Sequence, residues 1–271
     1  MTGYFKVFDL FGKVRRYHLL LLTITKRDIF ERYQGQILGS LWYVGHPLLI
    51  MAVYIFLFGV VLKVRLQTGA DMPLDYTCYI LAGLIPWLPT AETLSRSPSL
   101  LPSHAHIVKN IVFPVEILPI KVTLVSGFTM AFTLAAFIIY ALFQLHSFPV
   151  TYILLPVLLI LHLMFLVGLS LVISSVGVFF RDLKDVLQVF LLMIIYITPI
   201  FYLPTQVPAA FRPILYVNPF SHLIWCYQDV LYFGRIEHPW SWGIFGLLAW
   251  VLLAKGYDLF DRMRVYFGNA L

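Results

Sequence analysis

Three stretches of this chain, Leu41 to Leu62, Val122 to Leu145 and Phe148 to Phe180, contain no Asp, Glu, Lys or Arg. Each is long enough to cross a hydrocarbon core of roughly 30 Å, which asks for about 20 residues of helix. Three more runs approach that length. Tyr76 to Leu94 carries only Glu92; Val186 to Leu203 is short and holds Thr198-Pro199; Trp240 runs to Ala254, and on to Phe260 if Lys255 snorkels to the interface. The residues are 61% hydrophobic and 12% charged, against about a quarter charged in soluble domains. One soluble core has no room for so much apolar surface. The expected fold is an all-α integral membrane protein with six transmembrane helices.

The chain reads as a single transmembrane domain. Residues 1–40 form an interfacial helix and lead-in, 41–203 five spans, 204–239 a broken stretch, 240–260 the sixth span and 261–271 a tail. Tyr4 to Tyr33 mixes Phe5, Phe8, Leu19, Leu20 and Ile24 with basic residues, the pattern of a helix lying on the inner leaflet. Its simpler reading is a basic anchor that orients the first span. Pro204 to Pro239 is apolar and aromatic, yet Pro204, Pro208, Pro213 and Pro219 interrupt it. Short re-entrant helices before the last span are the favoured reading, against a seventh span or an interfacial loop.

The formal charge of +6 sits at the ends of apolar runs rather than along one stripe, which argues for membrane orientation and against nucleic acid. With six spans and both termini inside, every Lys and Arg except Lys63, Arg65, Arg212 and Arg235 faces the cytoplasm. The first thirty residues hold six basic residues and no small-residue cleavage site, so no removable leader is expected.

Catalytic motifs are scarce. Gly12-Lys13 is followed by Val14, so there is no phosphate-cradling GxxxxGK[ST] loop; HExxH and GxSxG are also missing. His222 and Asp229, seven apart, are a weak catalytic pair, and His104 and His106 read as surface residues rather than metal ligands. No metal site is expected. Glu92 and Arg96 stand four apart, the spacing of an ion pair on one helix face. Cys78 and Cys226 have no metal-ligand spacing and read as buried free thiols, with a disulfide as the rival. Aromatic residues make up 17% of the chain and enter the spans: Tyr54 and Phe58 in the first, Tyr79 and Trp87 in the second, Phe190, Tyr196 and Tyr202 in the fifth. They read either as lipid-facing rings and interface belts or as channel walls whose flat faces stack on sugars.

Four phrases, in order along the chain, resemble one family. Lys26-Arg27-Asp28-Ile29-Phe30-Glu31-Arg32-Tyr33 leads through Leu38-Gly39-Ser40-Leu41-Trp42 to Pro47. Val112-Phe113-Pro114-Val115-Glu116-Ile117-Leu118-Pro119 follows the second span. Phe179-Phe180-Arg181-Asp182-Leu183 comes before Thr198-Pro199-Ile200-Phe201-Tyr202, and Asn218-Pro219-Phe220 closes the set. Together they resemble the permease subunits of type-2 ABC exporters, in the branch that exports O-antigen, teichoic acid and capsule-like polysaccharides. The resemblance implies a homodimer in the bacterial cytoplasmic (inner) membrane, each protomer docked on a cytoplasmic ATP-binding subunit. ATP and Mg would sit on that partner and no cofactor on this chain, which would be a transport subunit and not an enzyme. A lipid-linked polysaccharide would thread between protomers past the first, second and fifth helices. The loop from Ser97 to Phe113 would carry the coupling helix, with Ser103, His104, His106, Lys109, Pro114 and Glu116 as contact residues. Pro213, Asn218 and Pro219 would belong to an outer gate. Arg27 and Arg32 would either meet an anionic lipid headgroup or merely orient the first span. Drug or small-lipid export by a related permease, and a membrane-embedded glycosyl- or acyltransferase, are the competing functions.

Overall fold

In a computed structural model, residues 4–31, 35–37, 39–61, 74–110, 114–145 and 149–271 are described. Every regular element among them is helical. The N-terminal segment forms two helices, α1 (Tyr4–Arg16) and α2 (His18–Glu31), where the sequence predicts one. The break at Tyr17 lets both pack inward: Val7 and Leu10 of α1 and Leu21 of α2 are buried while Phe8, Phe11, Leu19 and Leu22 stay exposed. That division is what an amphipathic helix at an interface produces.

Among the described residues, four helical segments are long and apolar enough to cross a membrane: Val44–Val61, Ile117–Leu142, Val150–Phe179 and Pro239–Ala270. The first comprises α3 (Trp42–Tyr54) and a π-helical continuation, Ile55–Val61, and carries Pro47 within it. The second lies within α7 (Ile117–Leu145). The third joins a 3₁₀ turn, Val150–Leu154, to α8 (Leu155–Phe179). The fourth is α12 (Pro239–Ala270), whose 32 residues make a rod about 48 Å long. The expected tail from 261 to 271 is therefore a continuation of the last helix through Ala270 rather than a separate segment.

The two remaining expected spans differ in kind. Helix α4 (Tyr76–Arg96) is 21 residues long but holds Pro86, Pro89, three threonines and two charges, and most of it is enclosed by other helices. Helix α9 (Leu183–Ile197) stops after 15 residues, about 22 Å, because Thr198 turns the backbone to an extended conformation ahead of Pro199. Between α4 and α7 lie two short helices, α5 (Leu100–Ser103) and α6 (Ala105–Asn110). The proline-broken stretch becomes a 3₁₀ turn at Pro204–Gln206, α10 (Arg212–Val217), α11 (Pro219–Gln228) and a π-helical turn, Asp229–Phe233. Gly234, at φ 63°, then reverses the chain into α12. A side chain is strained in that left-handed region, so glycine suits the reversal.

The tightest helix crossing is between α8 and α12. A Cβ on Gly168 would lie 2.6 Å from the backbone of Leu252 and Leu253, and one on Gly256 would lie 2.6 Å from the Gly168 carbonyl. Small residues here bring two backbones into contact, which is how helices gain dispersion energy where lipid competes for the apolar surface. Gly177 plays the same part further along α8, where a Cβ would run into the backbone of Pro98.

The packed interior has two parts. One joins α4, α7, α8, α11 and α12 around Tyr79, Phe137, Phe165, Leu223, Tyr227 and Phe245. The other gathers Val7, Leu10, Leu21, Leu100, Leu101, Ile117, Tyr257, Phe260 and Phe267, tying α1, α2 and α5 to the charged ends of α7 and α12.

Candidate functional site

Aromatic side chains from α3 and its π-helical continuation, from the end of α9 and from the turn after it converge. Phe201 stacks on Tyr54 with ring centroids 5.4 Å apart and on Phe58 at 5.8 Å, while Tyr196 lies 5.9 Å away. Tyr54 and Phe58 are themselves parallel at 6.3 Å. The Tyr202 hydroxyl donates to the carbonyls of Tyr196 and Ile197, both at 3.0 Å, and so closes the end of α9. Tyr54, Phe58, Phe201 and Tyr202 are half-buried, whereas Tyr196 is 69% exposed, and Val186, Val189, Leu192 and Met193 continue its exposed apolar face along α9. Phe190 is exposed at the edge of this face, with Phe220 6.4 Å behind it. Four of the seven aromatics expected on a channel wall, Tyr54, Phe58, Tyr196 and Tyr202, therefore gather around Phe201, while Phe190 lies with Phe220 beside α10 and α11.

Tyr79 and Trp87 require a correction. They are 1% and 3% exposed, inside the protomer, so they line no surface of this chain. Tyr79 instead donates its hydroxyl to the carbonyls of Pro199 (3.3 Å) and Tyr202 (3.1 Å), and Trp87 meets Phe220 edge to face at 5.8 Å. Both belong to the support beneath the surface. Gln228 Nε2 also donates to the Pro199 carbonyl at 3.0 Å, and Asn218 Nδ2 donates to Thr198 Oγ1 at 3.1 Å. The segment Thr198–Tyr202 is thereby held from α4 and α11 at once. Asn218 caps α11 by accepting from the Phe220 amide at 3.0 Å. Pro213 and Pro219 are exposed at the starts of α10 and α11, and Asn218 is buried between these helices.

At the opposite, charged end of the bundle, Ser103 and His104 join α5 to α6, with His106 and Lys109 exposed on α6. His104 Nδ1 lies 2.8 Å from the Leu100 carbonyl. Burial lowers the His104 pKa below its ordinary value, more than that carbonyl raises it, and Lys121 and Arg96 push the same way as burial. Pro114 is half-buried. Glu116 departs from the expected contact surface: its side chain is 4% exposed and forms ion pairs with Lys13 at 2.9 Å and Arg264 at 2.8 Å. Lys13 also donates to the Tyr257 hydroxyl (2.9 Å) and pairs with Asp9 (3.0 Å). Burial opposes the Lys13 charge, yet these bonds hold its pKa above the ordinary lysine value. Asp9 is lowered, chiefly by the Tyr257 hydroxyl and by Lys13, against some burial. Glu116 thus clasps α1 to α12.

A second cluster was not anticipated. Asp28 of α2 accepts from Arg96 Nη2 at 2.8 Å and from Lys121 Nζ at 2.7 Å, pinning α2 to the ends of α4 and α7. Burial raises the Asp28 pKa, but the two cations outweigh it and hold the carboxyl below the ordinary range. An acid directly after Lys26 and Arg27, on the apolar-basic N-terminal stretch, was the available signal. Glu92 reaches Arg96 at 3.5 Å, as its spacing predicts. Arg27 is exposed and pairs with Glu31 at 2.7 Å. Arg32 lies outside the described residues.

His222 and Asp229 do not meet. His222 contacts Ser241 Oγ at 3.1 Å and the Tyr216 carbonyl at 2.9 Å, whereas Asp229 pairs with His238 at 2.8 Å and accepts from Trp242 at 3.0 Å. That separation removes the catalytic pair. Cys78 and Cys226 are buried free thiols. Among the described residues no group of His, Cys, Asp and Glu is arranged to hold a metal.

Comparison with known families decides the class. Residues 20–232 match the family described as ABC-2 type transporter. The chain belongs to that family. This ABC-2 type protein is similar to two O-antigen export system permease proteins RfbA of Klebsiella pneumoniae, 26% identical over 253 residues and 27% over 254. Each alignment covers 93% of this chain and 95% of the relative. A third relative, the O-antigen export system permease protein RfbA of Myxococcus xanthus, is 26% identical over 260 residues, 94% of this chain and 96% of its own length. The ABC-2 type protein is thus a membrane-embedded transport subunit, matched to these permeases almost end to end.

Proposed function

We propose that this ABC-2 type protein is the membrane-spanning subunit of an ATP-driven exporter of lipid-linked O-antigen polysaccharide. The observation that carries the reading is its end-to-end similarity to permeases named for O-antigen export, joined to the half-buried aromatic cluster of Tyr54, Phe58 and Tyr202 around Phe201 and the exposed Tyr196 beside it. Such rings stack on the apolar sides of sugar rings and tolerate many sugar identities, as a polymer path requires. In this reading α4 and α9 complete six spans. Helix α4 is shielded from lipid by its neighbours, and α9 reaches full depth with the segment that follows it. Helices α10 and α11 dip into the outer half of the bilayer as a gate. The exposed face of α9 lies against the path or a second copy of the chain, so that two protomers enclose the polymer. A cytoplasmic ATP-binding subunit, holding ATP and Mg, presses on Ser103, His104, His106 and Lys109, and the stiff α5–α6 pair transmits that push to α4 and α7. Both termini face the cytoplasm of the inner membrane.

The test is purification of the chain from its native membrane into nanodiscs. The reading expects a stoichiometric ATPase partner, with ATP hydrolysis reduced at least ten-fold by His104→Glu together with Lys109→Glu. A chain that purifies alone under all conditions and modifies a lipid-linked sugar without ATP overturns it.

A further inference from the structure

On the flank of the bundle, α2, α7 and α8 enclose an open groove of about 780 Å³. Along its floor run three small residues spaced four apart on α7, Gly127, Ala131 and Ala135. We propose that this groove holds one anionic phospholipid of the inner leaflet, its hydrocarbon laid along α7 and its phosphate at Lys26.

Small residues at this spacing ordinarily let a second helix approach closely within a membrane. Here Ala131 and Ala135 are exposed, so no described helix packs on them. The floor is walled all the same. Leu159 and Leu163 of α8 line one side, and a Cβ on Gly127 would already touch the Leu163 methyl at 3.4 Å. Helix α2, pinned to α7 by Asp28 and Lys121, crosses the charged end and adds Leu22, Ile29 and Phe30. From Leu124 to Ile138 the lining follows α7 for about 21 Å. One leaflet with its headgroups is roughly 20–22 Å deep, so the groove has the length of a single lipid. A partner's spanning helix fits less well. Spread over that length, 780 Å³ is a section of about 37 Å², less than half the roughly 80 Å² of a helix 10 Å across. Such a helix would also run into α2 before leaving the membrane.

Two polar groups of α2 mark the charged end. Lys26 lines the groove, is exposed and forms no ion pair among the described residues, whereas the neighbouring Arg27 is taken by Glu31. Thr25 lines the same end, is 8% exposed, and its Oγ1 has no hydrogen-bond partner among the described residues. A lipid phosphate answers the ammonium, and the ester oxygens beside it offer the hydroxyl an acceptor. A zwitterionic headgroup brings its own cation toward Lys26, so a net negative one is preferred.

Only the choice of leaflet rests on the orientation proposed above; the lipid site stands on the geometry. The test is native mass spectrometry of the full-length chain, with any partner it retains, titrated with phosphatidylglycerol or phosphatidylcholine. The wild type is expected to prefer phosphatidylglycerol by about five-fold, the effect of one interfacial cation, and Lys26→Gln to bind both lipids alike. Ala131→Leu combined with Ala135→Leu fills the exposed floor and is expected to weaken both lipids at least five-fold. Loss of preference in one variant and loss of binding in the other is a pattern that misfolding does not produce. Equal binding of the two lipids by the wild type, or lipid binding unmoved by the leucine variant, overturns the site. If the leucine variant instead sheds a protein partner or changes oligomeric state with its lipid intact, a helix occupies the groove and the lipid assignment falls. If equimolar polyprenyl phosphate displaces phosphatidylglycerol, the occupant is a carrier lipid and the phospholipid assignment falls. The spectrum is indifferent to leaflet, so failure of the site and failure of the orientation are read separately, the latter from sided cysteine labelling.

Discussion

His162 sits fully buried in α8 between Thr90, whose Oγ1 is 3.0 Å from Nε2, and Tyr227, whose hydroxyl is 3.0 Å from Nδ1. Both ring nitrogens are satisfied, and the ring joins α4, α8 and α11. Polar bonds between helices in a membrane are worth about 0.6 kcal/mol on average, so Tyr227→Phe is expected to cost less than about 2 kcal/mol. His162→Leu leaves the Tyr227 hydroxyl only the Met130 sulfur at 3.8 Å, while Thr90 keeps its bond to the Pro86 carbonyl at 2.7 Å, and should cost more, measured as loss of thermal stability in detergent. Gly168 poses a steric question instead. Because its Cβ position lies 2.6 Å from backbone atoms that no rotamer can move, Gly168→Val is expected to lose about 1–3 kcal/mol. Gly243→Ala, where a Cβ meets nothing within 4 Å, should be neutral or slightly stabilising. Equal melting temperatures for the two glycine variants would refute the close α8–α12 crossing.

Two acids attach the N-terminal helices to the rest of the molecule. Glu116 holds α1 through Lys13 and α12 through Arg264; Asp28 holds α2 through Arg96 and Lys121. Removing one partner from such a cluster leaves the others desolvated, so Glu116→Ala should weaken α1 docking by about 1–3 kcal/mol. Faster trypsin cleavage at Arg15 and Arg16 would report it. The pH dependence has two sides. Asp28 is held below 3.8, so its contribution is complete above that value and is lost as pH falls through the lower folded pKa. Lys13 is held above 10.5, so its contribution is complete below that value and is lost as pH rises through the higher folded pKa. Protection of α1 and α2 in hydrogen exchange should therefore stay constant from about pH 5 to 9. A loss within that window would mean that groups other than these carboxylates and the lysine govern docking.

Across the whole molecule, the α5–α6 hairpin and the turn at Gly234 lie at opposite ends of the helical layer. The six-span reading assigns them to opposite sides of the membrane. With Cys78 and Cys226 buried, the wild-type chain should resist a membrane-impermeant maleimide until it is denatured. Single substitutions then report the sides. His106→Cys should label only from the cytoplasm, and Arg235→Cys only from outside. Labelling of both from one side would remove either α4 or α9 from the set of crossing helices.

The uncharged runs from 41, 122, 148 and 240 determined membrane residence and four helices, because apolar length is a local property that the hydrocarbon thickness reads directly. The order of phrases from Lys26 to Phe220 likewise carried the family. Local pattern also foretold the break at Thr198-Pro199, the Glu92–Arg96 pair and the free thiols. Tertiary structure decided which side of each ring faces a neighbour. Tyr79 and Trp87 sit on a helix as Tyr54 and Phe58 do, but α4 is surrounded while α3 and its continuation are not, so the same residue types became fully buried support in one and half-buried rings in the other. Glu116 and Asp28 show the same rule for charge. Their partners stand far away in the chain, and only the folding of α1 and α2 against α4, α7 and α12 brings opposite charges within 3 Å.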